Sequence, residues 1–105
     1  MNSISYDERK QIYQVACEKY GIDSQIVIAI EEMSELTKEI CKISRGQGDI
    51  ESLAEEIADV TIMMEQLRVI YDINDLTCDH MDAKIRRLQI RLEEWLMFYC
   101  EICSE

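Results

Sequence analysis

The chain has 105 residues, 48% of them apolar and 31% charged, a balance that fits one well-packed globule with a small core and excludes a disordered chain. A formal net charge of −11 argues against nucleic acid as a partner, because duplex binders gain affinity from cations that displace counterions. No apolar run is long enough to cross a bilayer, and Met1 to Tyr20 carries charges throughout, so neither membrane contact nor a secretory leader is expected and the location implied is cytoplasmic.

Proline is absent, and the three glycines, Gly21, Gly46 and Gly48, mark the breaks. The first helix is predicted from about Tyr6 to Tyr20, with Ser5 as N-cap and Gly21 at its exit. The second should span about Asp23 to Arg45, with Ile26, Ile30, Met33, Leu36, Ile40 and Ile43 as its apolar stripe. Arg45 to Asp49 reads as a loop, and Asp49 can cap a third helix that continues to about Tyr71. The fourth helix is expected from near Asn74 to Cys103, with Ile85, Leu88, Leu92, Trp95, Leu96 and Tyr99 on its buried side. The apolar periods are helical and the runs too long for strands, so the fold class is all-α, a single four-helix domain over residues 1–105. Helix three is apolar on more than one side, since Ala58, Ile62 and Val69 lie away from its main stripe. Four helices of this length cover such a helix incompletely, and a homodimer packed as a larger helical bundle is expected.

Two acidic clusters carry the chemistry. Glu31-Glu32-Met33-Ser34-Glu35 has the pattern E-E-x-x-E, and Glu56-Ile57-Ala58-Asp59 has the pattern E-x-x-D. Residues three and four apart share a helix face, so each cluster is a carboxylate pair aimed in one direction. Leu53, Glu56, Val60, Met63 and Leu67 fall on one stripe, which places Glu56 inside an apolar seam, with Asp59 at its border. Ile28, Glu32 and Leu36 follow one another at four-residue steps, with Glu35 on the flank. Inward carboxylates facing each other repel and lose hydration unless a cation lies between them. Hard, oxygen-preferring divalent ions, Mg²⁺ above all, meet that need.

Other features are read as packing or solvated surface. Five cysteines, Cys17, Cys41, Cys78, Cys100 and Cys103, lack zinc-ligand spacing across two clusters and are expected to be reduced core thiols. Cys100-Glu-Ile-Cys103 matches a redox C-x-x-C only as a string, and Met63, Met64 and Trp95 are taken as core. A di-iron carboxylate bundle would need Glu-x-x-His pairs, but the single histidine, His80, follows Thr77 at that spacing. Lys84, Arg86, Arg87 and Arg91 form a basic block late in an acidic chain. Such a block is either a solvated helix face or the cationic side of a polyphosphate site.

Together these residues resemble the all-alpha nucleoside triphosphate pyrophosphohydrolases of the MazG type, a superfamily that also includes dimeric dUTPases and phosphoribosyl-ATP pyrophosphatases. The resemblance spans roughly Tyr20 to Leu92 and rests on both acidic motifs and the twenty residues between Glu35 and Glu56. It extends to the flanking text, Gln25-Ile-Val-Ile-Ala-Ile30 before the first motif and Asp59-Val-Thr-Ile-Met-Met-Glu-Gln-Leu67 after the second, and to the basic segment Lys84-Ile-Arg-Arg-Leu88. The resemblance implies that Glu32, Glu35, Glu56 and Asp59 hold catalytic Mg²⁺, for which Mn²⁺ can substitute, and that Glu31 orients the attacking water or contacts a second ion. It further implies that Gln25 faces the nucleobase and that Lys84, Arg87 and Arg91 meet the phosphates. The activity implied is cleavage of a nucleoside triphosphate between its alpha and beta phosphates to a monophosphate and pyrophosphate, as in house-cleaning of the nucleotide pool, by a homodimer or homotetramer. The alternative is a non-catalytic oligomeric interaction module built on the same helices.

Overall fold

The computed structural model describes residues 2–103, with side chains through Glu101. The described residues form four helices and no strand: α1 (Tyr6–Tyr20), α2 (Ile22–Ser44), α3 (Ile50–Ile70) and α4 (Asn74–Cys103). They divide into two compact units, one ending at Asp72 and the other starting at Ile73.

The ends of the first three helices follow from local chemistry. Ser5 accepts from the Glu8 N–H at 3.2 Å and starts α1. Gly21 ends α1 by donating its N–H to the Cys17 carbonyl at 2.9 Å, and its own carbonyl accepts from Gln25 to open α2. It does both at φ 89°, a region that glycine enters without a Cβ clash. At the far end of α2, Gln47 donates to Lys42 and Gly46 to Ile43, each at 2.9 Å, with Gly46 at φ 73°. That 6→1 and 5→2 pair is a Schellman closure, which turns the chain back over a short loop.

Asp49 then caps α3. Its Oδ1 accepts from the Ser52 N–H and its Oδ2 from the Ser52 hydroxyl, both at 2.9 Å. These bonds, the backbone one foremost, hold the Asp49 carboxyl below the usual aspartate range. Replacing Asp49 with Ala should lower the melting midpoint by a few degrees, while Asn, which can still accept, should restore most of it. A melt in which the Ala variant matches the parent would remove this cap from the account.

In the first unit α2 and α3 form the main pairing and α1 packs on both. The core is small: Tyr13, Ala29 and Met63 are its buried apolar residues, joined by buried Gln25 and Gln66. One bond joins the two amides, Gln66 Nε2 donating to Gln25 Oε1 at 2.8 Å and lying 3.6 Å from Cys17 Sγ. α1 is tied to α3 through Glu65. Its carboxylate accepts from Arg9 Nε at 2.6 Å, Arg9 Nη2 at 3.2 Å and the Tyr13 hydroxyl at 2.8 Å.

Two sequence expectations are corrected here. Ile85, Leu88, Leu92, Trp95, Leu96 and Tyr99 are exposed along α4 rather than buried, because one helix presents a stripe but cannot cover it. The cysteines are not core thiols as a group: Cys17 is half-buried, whereas Cys41, Cys78 and Cys100 are exposed, all of them free. The side chain of Cys103 lies outside the described residues. On α3, Leu53, Glu56, Val60 and Leu67 are half-buried around buried Met63, as their stripe requires. Ala58 and Ile62 are exposed on the other side. No helix of the described residues is long and apolar enough to cross a membrane.

Candidate metal centre

Glu32 comes from α2, between Ala29 and Leu36 on its inward row, and Glu56 and Asp59 come from α3, where Glu56 occupies the apolar stripe. One carboxylate oxygen from each of the three lies within 4.8 Å of the others. Helix register explains the meeting. Gln25 pairs with Gln66; seven residues forward on α2 is Glu32, and seven residues back on α3 is Asp59. A seven-residue step is about two turns, so the helices run antiparallel and present the same faces at both places.

The electrostatics of this group are one-sided. Glu32 is half-buried, and its carboxyl is raised above the usual glutamate range, first by loss of hydration and then by the charges of Asp59 and Glu35, with Glu31 contributing least. Glu56 is raised in the same direction, again by desolvation first, followed by Asp59, Glu32, Glu35 and Glu39. Its Oε2 is buried and has no hydrogen-bond partner in the protein. Among the described residues no Lys, Arg or His pairs with Glu32, Glu56 or Asp59, whereas ion pairs join Arg9 to Glu65, Lys42 to Glu39 and Arg68 to Glu65. Glu32 and Glu56 are half-buried while Asp59 is exposed, and three carboxylates gathered this closely without a counter-cation could hold a hard divalent ion. The 4.8 Å bound is wider than the separations of oxygens on one small octahedral cation, about 3 Å for neighbours and about 4.2 Å for opposite ones, so the three carboxylates would draw together to share an ion.

The other residues marked by the sequence fall in different places. Glu35 is exposed beside the trio, close enough to raise both glutamates but outside the group of three, and Glu31 is exposed next to Glu32. Gln25 is 6% exposed and its carbonyl is occupied by Gln66. Lys84, Arg87 and Arg91 are exposed on α4, in the second unit. Glu39 was not singled out by motif. Its side chain is 12% exposed, it pairs with Lys42 at 3.8 Å, and its charge reaches Glu56. The signal for it was present: Glu39 lies seven residues after Glu32 on the same face.

Comparison with protein-family models, with curated proteins and with solved structures finds no match to this chain.

Proposed function

We propose that the chain is a Mg²⁺-dependent nucleoside triphosphate pyrophosphohydrolase of the MazG type, cleaving between the alpha and beta phosphates, and that it works as a homodimer or homotetramer. The observation that carries this reading is the convergence of Glu32, Glu56 and Asp59 from two helices around a buried, unpartnered Glu56 oxygen. The resemblance of both acidic motifs to that family supports it. Exposed apolar residues such as Ile30, Ile57 and Ile62 on α2 and α3 support the oligomer.

In this reading Glu32, Glu56 and Asp59 would hold the ion, with Glu35, exposed beside them, as a fourth ligand. A bound Mg²⁺ supplies neutralisation of the phosphate oxygens and a more acidic water. Glu31, one residue before the ligand Glu32, orients the attacking water. Lys84, Arg87 and Arg91 are assigned to the phosphate tail, where cations stabilise the leaving pyrophosphate. Gln25, with its carbonyl taken by Gln66, is assigned to the nucleobase through its NH₂ group. Phosphoryl-type transfer asks little covalent work of a protein, so positioning and charge neutralisation suffice without a Ser-His or Cys-His pair.

The direct test is a product-resolved screen. Canonical and modified nucleoside triphosphates are incubated with the protein and Mg²⁺, and monophosphate plus pyrophosphate is expected from at least one of them. Orthophosphate with diphosphate, or no turnover of any substrate, counts against the assignment.

A further inference from the structure

We infer that α4 is a self-association arm: its exposed apolar seam pairs with α4 of a second copy of this chain as a parallel, two-stranded coiled coil. The inference does not rest on the metal reading.

The seam is regular. Met81, Ile85, Leu88, Leu92, Trp95 and Tyr99 alternate at steps of four and three, the seven-residue repeat that winds helices about one another. With Ile85, Leu92 and Tyr99 at a, the d positions are Met81, Leu88, Trp95. Each of the six is between 47% and 59% exposed. Trp95 and Tyr99 stack on each other, ring centroids 5.3 Å apart at 16°, which gathers the aromatic end of the seam onto one face.

The width of the seam says what kind of partner fits. A helix lying on a globular core shows a broad stripe that includes e or g positions, whereas a coiled coil keeps only a and d apolar. Here the flanks are polar for most of the length: Lys84 and Arg91 at g, Asp82 and Gln89 at e, with Leu96 and Phe98 widening the seam only near its C-terminal end. Ile85 at a followed by Leu88 at d is the combination that favours two strands. Charge selects the direction. In a parallel pair Lys84 at g faces the neutral Gln89 at the following e of the other helix and Arg91 faces Leu96, while an antiparallel pair sets Lys84 and Arg91 against their own kind.

The area is sufficient. About 100 Å² left exposed on each of six large side chains gives roughly 600 Å² per helix and roughly 1,200 Å² for a pair, where specific interfaces begin.

Sedimentation of the full chain tests the inference. The parent should sediment as an assembly of two copies or a multiple of two. Leu88→Glu/Leu92→Glu should halve its mass while keeping the α1–α3 melting transition, and Arg86→Glu, at an outer b position, should leave the mass unchanged. Mild oxidation should join two chains through Cys78, the a position one repeat before Ile85, and Cys78→Ser should remove that crosslink. A monomeric parent, a double variant that keeps its mass, or a double variant whose α1–α3 transition collapses because the seam packs on its own chain would each overturn the proposal. An assembly that fails to crosslink through Cys78 would overturn the parallel pairing.

Discussion

Glu56→Gln is expected to lower turnover of nucleoside triphosphates by about a hundredfold or more, the scale lost when one preorganised charge is removed from a reaction centre. The same variant should fold, and without metal it should melt at or above the parent's midpoint. Glu56 is held above the usual glutamate range by desolvation and by Asp59, Glu32, Glu35 and Glu39, so its negative charge is a burden on the metal-free fold that a neutral amide relieves. Mg²⁺ at about a hundred times its Kd would add about 2.7 kcal/mol to the parent. That gain should vanish in Glu56→Gln. The pH dependence has a definite sign. Because Glu32 and Glu56 have raised values when folded, their contribution to the stability of the metal-free chain is full below the ordinary glutamate value and is lost as pH rises through their raised range. Binding of the ion runs the other way, since protons must leave first, and the Mg²⁺-induced rise in melting midpoint should fade as pH drops through the same window. An unfolded Glu56→Gln chain, or one that still responds to Mg²⁺ like the parent, contradicts the centre.

The second large effect is structural. Glu65→Ala should cost about 2 kcal/mol, because the buried Tyr13 hydroxyl loses its acceptor and a charge-assisted network is broken. For a unit this small that corresponds to a fall of roughly 10 °C in the melting midpoint. Arg9 first, and then Tyr13 and Arg68, hold the Glu65 carboxyl below the usual glutamate range against the opposing effect of burial. The Tyr13 hydroxyl is pushed up to about 12, first by burial and then by Glu65. A depressed carboxyl contributes stability that is complete above the ordinary glutamate value and is lost as pH falls through the folded one. The difference between parent and variant should therefore be full at neutral pH and shrink in strong acid. A difference that grew in acid would mean that Glu65 is not the anchor of α1.

Much of this was legible beforehand, and the reasons are local. Ser5, Gly21, Asp49 and the Gly46 turn announce helix ends through bonds that close within a few residues, so spacing alone placed all four helices within a residue or two. The row through Leu53, Glu56, Val60 and Met63 exposed Glu56 as a carboxylate out of place, and the trio includes it. Periodicity names a face but not its cover, so the α4 stripe that the pattern marks as buried is exposed in the structure. The bonds of Glu65 and of the Gln25–Gln66 pair are not legible in the sequence because their partners are 56, 52 and 41 residues away. Glu35 shares its face with Glu32 in the sequence pattern, yet its side chain is exposed and lies outside the trio.

The bond between Gln25 and Gln66 has a consequence beyond joining two amides. Helices that touch along ridges can slide by one turn at small loss of apolar contact, and a four-residue slip of α3 would bring Met63 or Glu55 opposite Glu32 in place of Asp59. The same slip would strand two amides inside the unit, at a cost of about 1–3 kcal/mol for each unpaired group. The pair thus works as an index pin, set two turns from the carboxylates, that makes every neighbouring alignment of the helices an error the fold rejects.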